Sequence, residues 1–97
     1  MKKQAVANSK KIGVTFEAPA DIQAQTVAVV GDFNSWDPGA TQMKQKKDGS
    51  WSATVRLNPG TYRFRYVADS ERYFNDPQAD GFESSGFGED NCLLVVE

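Results

Sequence analysis

Apolar residues fall on alternate positions in most of the segments that carry them, which is the signature of strands with one buried face. At 12–17, Ile12, Val14 and Phe16 share one face while Gly13, Thr15 and Glu17 take the other. At 51–57, Trp51, Ala53, Val55 and Leu57 alternate with polar residues, which places Trp51 in the core. At 61–69, Tyr62, Phe64, Tyr66 and Ala68 oppose Arg63, Arg65 and Val67. Because side chains alternate with a period of two, Arg65 points away from the face that Phe64 and Tyr66 bury. Val27 to Val30 read as a buried strand, and 91–96 as a closing strand, apolar on both faces and so central or well covered. A short strand is expected at 72–74, a charged edge strand with Met43 as its one apolar residue at 41–47, and loop-like chain at 78–90. Residues 1–10 read as a flexible polar leader to a single domain over 1–97. No window has the 3.6-residue period of a helix. Six or seven short strands at regular spacing predict an all-β antiparallel sandwich.

The connections are punctuated by turn chemistry: Asp48-Gly49, Asn58-Pro59-Gly60, and a hairpin through Ser70 and Glu71. The most informative turn lies in VAVVGDFNSWDPG at 27–39. There Gly31, Asp32 and Asn34 end the strand and Asp37-Pro38-Gly39 closes the turn. Phe33 and Trp36 sit three residues apart between these marks, so one can anchor inward while the other faces water. Trp36 has two readings at this point. Its indole either plugs one end of the sandwich or forms a flat platform for a ligand with an apolar face.

With 97 residues, 39% hydrophobic and 25% charged, the chain has the size and composition of one globular domain. A net charge of -2 gives no general attraction to nucleic acid or anionic lipid, and the lysine clusters at 2–3, 10–11 and 44–47 read as solvated edges. No apolar run is long enough for a signal peptide's core or a membrane span. Cys92 is the single cysteine, which excludes an intrachain disulfide, and its apolar neighbours predict a buried thiol in a strand. A cytoplasmic setting is the simplest expectation.

There is no histidine, so the commonest general base, the histidine-activated nucleophiles and most zinc sites are absent. Carboxylates such as Asp69, Glu71, Asp76, Asp80, Glu89 and Asp90 leave glycoside hydrolysis open on residue type alone, but a small sandwich offers no enclosing cleft. Calcium at Asp76 and Asp80 or at Glu89-Asp90-Asn91 lacks the spacing of a known loop. These acids read better as turn and strand-end residues, and no cofactor or metal is expected. A polysaccharide suits the remaining residue types. Each pyranose has an apolar C–H face that stacks on an indole or phenol, ringed by hydroxyls that bond planar polar groups such as Arg65 and Asn91.

VAVVGDFNSWDP, DGSWSATVRLNPGTYRFRYVAD, YFNDP and GFGEDNCLLVV resemble, in that order, the carbohydrate-binding modules of family 48. These include the glycogen-binding domain of AMP-activated protein kinase β subunits and the N-terminal domains of isoamylases and branching enzymes. The resemblance runs from about Val27 to the C-terminus. It implies an immunoglobulin-like sandwich of the early-set type, no catalysis, and binding of α-1,4-glucan, as polysaccharide or maltooligosaccharide, at one end. Trp36 matches the family's first stacking tryptophan. Arg65 falls where the family has a sugar-contacting lysine, Tyr73 where it has a second tryptophan, and Phe87 where a leucine pushes into the glucan ring. Asn91 matches a hydrogen-bonding asparagine, while Glu89 stands in place of a threonine contact. Members linked to enzymes also serve to pack against a catalytic domain. An interaction module that has lost sugar binding, docked on a glycogen- or starch-metabolising enzyme, is therefore the alternative.

Overall fold

The alternating segment at 12–17 is realised as β2 (Ile12–Ala18), which buries Val14, Phe16 and Ala18 and turns Thr15 and Glu17 outward. It pairs antiparallel with β5 (Trp51–Leu57) along its whole length, from Ile12 opposite Leu57 to Ala18 opposite Trp51. The computed structural model describes residues 2–5, 10–22, 24–84 and 90–96. In the first sheet, β1 (Lys2–Ala5) lies outside β2, and the two-residue β4 (Lys44–Gln45) lies outside β5. The second sheet runs β3 (Val27–Gly31), β6 (Gly60–Ala68), β9 (Asp90–Val96), β8 (Gly81–Ser84), and β7 (Arg72–Phe74) also pairs with β6. Every pairing is antiparallel. The protein is thus an immunoglobulin-like all-β sandwich, with one 3-10 turn at Ala20–Ile22 and no α-helix among the described residues. Among these residues no helix is long and apolar enough to cross a membrane.

The core lies between the sheets. Phe16 from the first sheet meets Phe64 and Tyr66 from the second edge-on, at 5.1 and 6.4 Å between ring centroids, and stacks on Phe33 at 5.6 Å. Trp51 joins the same cluster and is buried, as its alternation predicts. Tyr66 is fully buried, and a hydroxyl there needs a partner. Asp76 supplies it, accepting from Tyr66 Oη at 2.8 Å and from the Gln78 amide at 2.8 Å. Burial first, and then the charge of Asp76, raises the Tyr66 pKa far above its usual value.

Three expectations change. Residues 41–47 do not form one edge strand. Segment 41–43 bonds to β3, with Val29 N donating to Thr41 O and Met43 N to Val27 O, before β4 pairs with β5 in the other sheet. The chain crosses between sheets at this point, and Met43 is buried there. The expected loop at 78–90 contains β8, whose partner β9 supplies the ladder that the weak strand propensity of its Gly, Glu and Ser residues would not. Part of the expected leader, Lys2–Ala5, is strand β1, and Lys3 Nζ reaches Asp80, the residue before β8, at 2.6 Å.

Cys92 is fully buried in β9, and its Sγ accepts a bond from the Asp76 amide at 3.2 Å. Burial pushes the thiol pKa up, so little thiolate is present at neutral pH. A thiol reagent such as dithionitrobenzoate should label Cys92 slowly in the folded protein and promptly in denaturant. Prompt labelling without denaturant would contradict this placement.

Candidate site on the outer face of the second sheet

β3 is buried along its whole length, so both of its faces are covered. Val27 and Val29 face the core, while Ala28 and Val30 face outward and form a separate small cluster with Val67 of β6. Trp36 packs against that outer cluster. The indole therefore lies on the outside of the second sheet, apart from the core between the sheets, and is only partly buried.

The turn that carries Trp36 is held by a set of local hydrogen bonds. Gly31 N donates to Asn34 Oδ1, and Asn34 Nδ2 donates to both Val29 O and Thr41 Oγ1, each at 3.0 Å. Trp36 N returns to Gly31 O at 3.0 Å, and Asp37 Oδ1 accepts from Gly39 N at 2.9 Å. Ser35 and Trp36 both have φ of 58°, the left-handed region that a bulky residue seldom adopts. Such a conformation costs on the order of 1–3 kcal/mol and persists where the surroundings over-determine it. Gly31 is required for close approach: a Cβ there would lie 2.5 Å from Arg63 O and 2.8 Å from the Phe33 ring.

Asp32 fixes the plane of the ring. Its Oδ1 accepts from Trp36 Nε1 at 3.1 Å, and its Oδ2 accepts from Arg63 N at 2.9 Å and Arg63 Nε at 3.1 Å. Partial burial alone would raise the Asp32 pKa. The bonds from Arg63 and Trp36, with the guanidinium charge, outweigh it and hold the carboxyl below its ordinary value of 3.8. The stability this group contributes is therefore full above pH 3.8 and is lost as the pH falls below that value through the depressed folded pKa. Asp32→Asn should lower the denaturation midpoint at pH 7 by the equivalent of about 1 kcal/mol. At pH 3 the gap between variant and wild type should narrow, and an unchanged gap would show that the carboxylate charge is not what the site uses.

Arg65 lies opposite Val30 and Tyr73 opposite Val67, which brings both onto the same outer face as Trp36. The Arg65 guanidinium carbon stands 5.6 Å from the centroid of the Tyr73 ring, and Tyr73 is 48% exposed. Arg65 Nε donates to Asn75 Oδ1 at 2.7 Å, and Asn75 Nδ2 donates to Asp90 O at 2.9 Å, so the guanidinium is oriented by an amide that is itself anchored. Asn91 alternates with buried Cys92 and therefore also faces outward. The pairing of Phe64 with Cys92 carries Arg65 to the level of Asn91. Four of the five expected site residues thus share one face, and Phe87 lies outside the described residues, as does Glu89.

Asp32, Arg63 and Asn75 were not among the expected site residues. Asp32 and Asn75 carry ordinary strand-ending chemistry in the sequence, and no local signal separates a turn residue from one that also orients a neighbour's ring. Two of the other acids, Asp69 and Asp80, are engaged next to strand ends. Asp69 Oδ1 accepts from Gln25 N and Thr26 N at 2.8 and 3.0 Å, and Asp80 Oδ2 accepts from Val95 N at 2.7 Å. Among the described residues no group of three or more metal-ligating side chains occurs.

A held indole, an exposed phenol and an oriented guanidinium thus lie on one open face of a small two-sheet β-sandwich. Over residues 15–97 the chain matches the family described as the glycogen recognition site of AMP-activated protein kinase, and it belongs to that family of carbohydrate-binding modules. It is 46% identical over 45 residues, 45% of its length, to the 1,4-alpha-glucan branching enzyme GlgB 2 of Xanthomonas campestris, of which it spans 6%. It is 33% identical over 61 residues to the 1,4-alpha-glucan branching enzyme GlgB of Aquifex aeolicus, covering 61% of this chain and 10% of that protein. It is 32% identical over 75 residues to the chloroplastic protein PTST homolog 2 of Arabidopsis thaliana, covering 75% of this chain and 13% of that protein. The chain thus corresponds to a small part of each of these relatives.

Proposed function

We propose that this chain binds α-1,4-glucan, as glycogen, a starch-like polysaccharide or a maltooligosaccharide, on the outer face of the second sheet, and that it does so without catalysis. The observation that carries this reading is that Trp36, Arg65 and Tyr73 share one outer face. Trp36 and Tyr73 stack on the C–H faces of successive pyranose rings. Arg65 and Asn91 bond the hydroxyls, and Phe87, outside the described residues, is assigned to the same site by the family resemblance alone. With its N–H given to Asp32, the Trp36 indole offers the sugar a π face and not a donor. The engagement of Asp69, Asp76 and Asp80 in internal hydrogen bonds supports binding over hydrolysis. A cytoplasmic setting is proposed on the lone, buried, unbridged Cys92.

Shallow sites of this kind bind in the micromolar to millimolar range, about -4 to -8 kcal/mol. Titration with maltoheptaose, followed by tryptophan fluorescence, should give a saturable change in that range. A flat titration, together with retention of a glucan-metabolising enzyme on the immobilised chain, would replace this reading with the second one. That second reading, an interaction module docked on such an enzyme, is favoured by one finding: the branching-enzyme relatives carry the similar segment within much longer chains.

A further inference from the structure

The outer face of the first sheet has a different chemistry from the glucan face. The register sets Lys2, Thr15 and Thr54 side by side in one row across β1, β2 and β5, and Gln4, Gly13 and Arg56 in the next. All six alternate with inward residues or lie opposite those that do, so they share the solvent face. Gly13 stands at the centre of its row with no side chain, between a carboxamide and a guanidinium. The result is an open dent of about 230 Å³ with Lys2 and Arg56 at its rim and the two threonines beside it.

Its polar groups are predominantly donors. Thr15 and Thr54 share one hydroxyl–hydroxyl bond at 3.0 Å, which uses one of their two protons and leaves the other to point elsewhere. Neither Lys2 nor Arg56 has a carboxylate partner among the described residues, and no acid lines the dent. The nearest acid on the same face of β2 is Glu17, four residues from Gly13 and roughly 13 Å along the strand, and it faces Lys46 at 3.9 Å. The geometry points to an oxyanion site here, one that takes a phosphate group, either free or as the monoester of a sugar. A tetrahedral dianion would sit over Gly13, where the absent side chain lets it approach the sheet. Arg56 would meet it with a planar fork, Lys2 with a point charge, and the hydroxyls and Gln4 with neutral donors. The site is independent of glucan binding and lies on the opposite side of the sandwich from Trp36.

The test is a two-dimensional amide spectrum of the nitrogen-15-labelled chain at about pH 7.5, where phosphate monoesters are largely dianionic. It is titrated separately with inorganic phosphate, glucose 6-phosphate and neutral maltoheptaose. Both phosphate probes should give saturable shifts at Gly13, Thr15, Thr54 and Arg56, and maltoheptaose should leave these amides unmoved. The pair Lys2→Gln and Arg56→Gln should weaken the phosphate response by roughly tenfold or more. Gly13→Val, which fills the dent without changing charge, should abolish it while the rest of the spectrum keeps its native dispersion. Tighter binding of glucose 6-phosphate assigns the site to phosphorylated sugar, and tighter binding of inorganic phosphate to the free ion. No saturable shift, or a response that Gly13→Val leaves unchanged, overturns the proposal.

Discussion

Trp36→Ala should remove maltoheptaose binding from the fluorescence and calorimetric range while the protein stays folded. A shallow site with two stacking residues has little surplus free energy. If each aromatic contributes about 2 kcal/mol or more of a total near -4 to -8 kcal/mol, losing one moves the dissociation constant by at least about 30-fold. The cost to folding is smaller. The indole covers Ala28, Val30 and Val67 from outside, so its removal exposes part of that cluster and deletes the bond to Asp32, but leaves the core between the sheets intact. About 1–2 kcal/mol is expected, a fall in melting temperature on the order of 5–15 °C for a domain of this size. Trp36→Phe keeps an aromatic face without the N–H and should retain weakened binding. Unchanged affinity in Trp36→Ala would move the glucan site elsewhere. Collapse of the fold would make the indole a structural cover first and a platform second.

Trp51→Ala should have the opposite profile. Trp51 begins β5 opposite Ala18 and Gln45 and packs into the main core, where it is nearly inaccessible. Truncating a buried aromatic removes its transfer free energy and leaves a cavity that the two sheets cannot fully close, which costs about 3–5 kcal/mol. A domain of this length holds roughly 5–15 kcal/mol in total, so the variant should be strongly destabilised or unfolded at 37 °C. Its denaturant midpoint, read by circular dichroism, checks this. A midpoint within a few tenths molar of wild type would mean that the core tolerates the void. On this expectation the two variants separate the roles: Trp36→Ala loses binding at modest cost to stability, and Trp51→Ala loses stability away from the proposed face.

The pattern of residues along the chain was enough to determine the all-β class, most of the strands, and the core positions of Phe16, Trp51, Phe64, Tyr66 and Cys92. Alternation with a period of two is a local property, and a residue's face in a strand follows from its neighbours in sequence. The same rule put Arg65 and Val67 on the side away from Phe64. It also left β3 as a strand covered on both faces without saying what covers the outer one. Only the tertiary structure decided that Trp36 does so, because the answer depends on a turn folding back over its own strand with two residues at positive φ. Asp32, Arg63 and Asn75 join the candidate site for the same reason: their hydrogen bonds span as much as 31 positions in the chain, and turn chemistry gives no sign of them. β8 and the crossing at Met43 were hidden likewise. A weak strand is formed by the partner that supplies its ladder, and a segment that changes sheets presents no constant face to read.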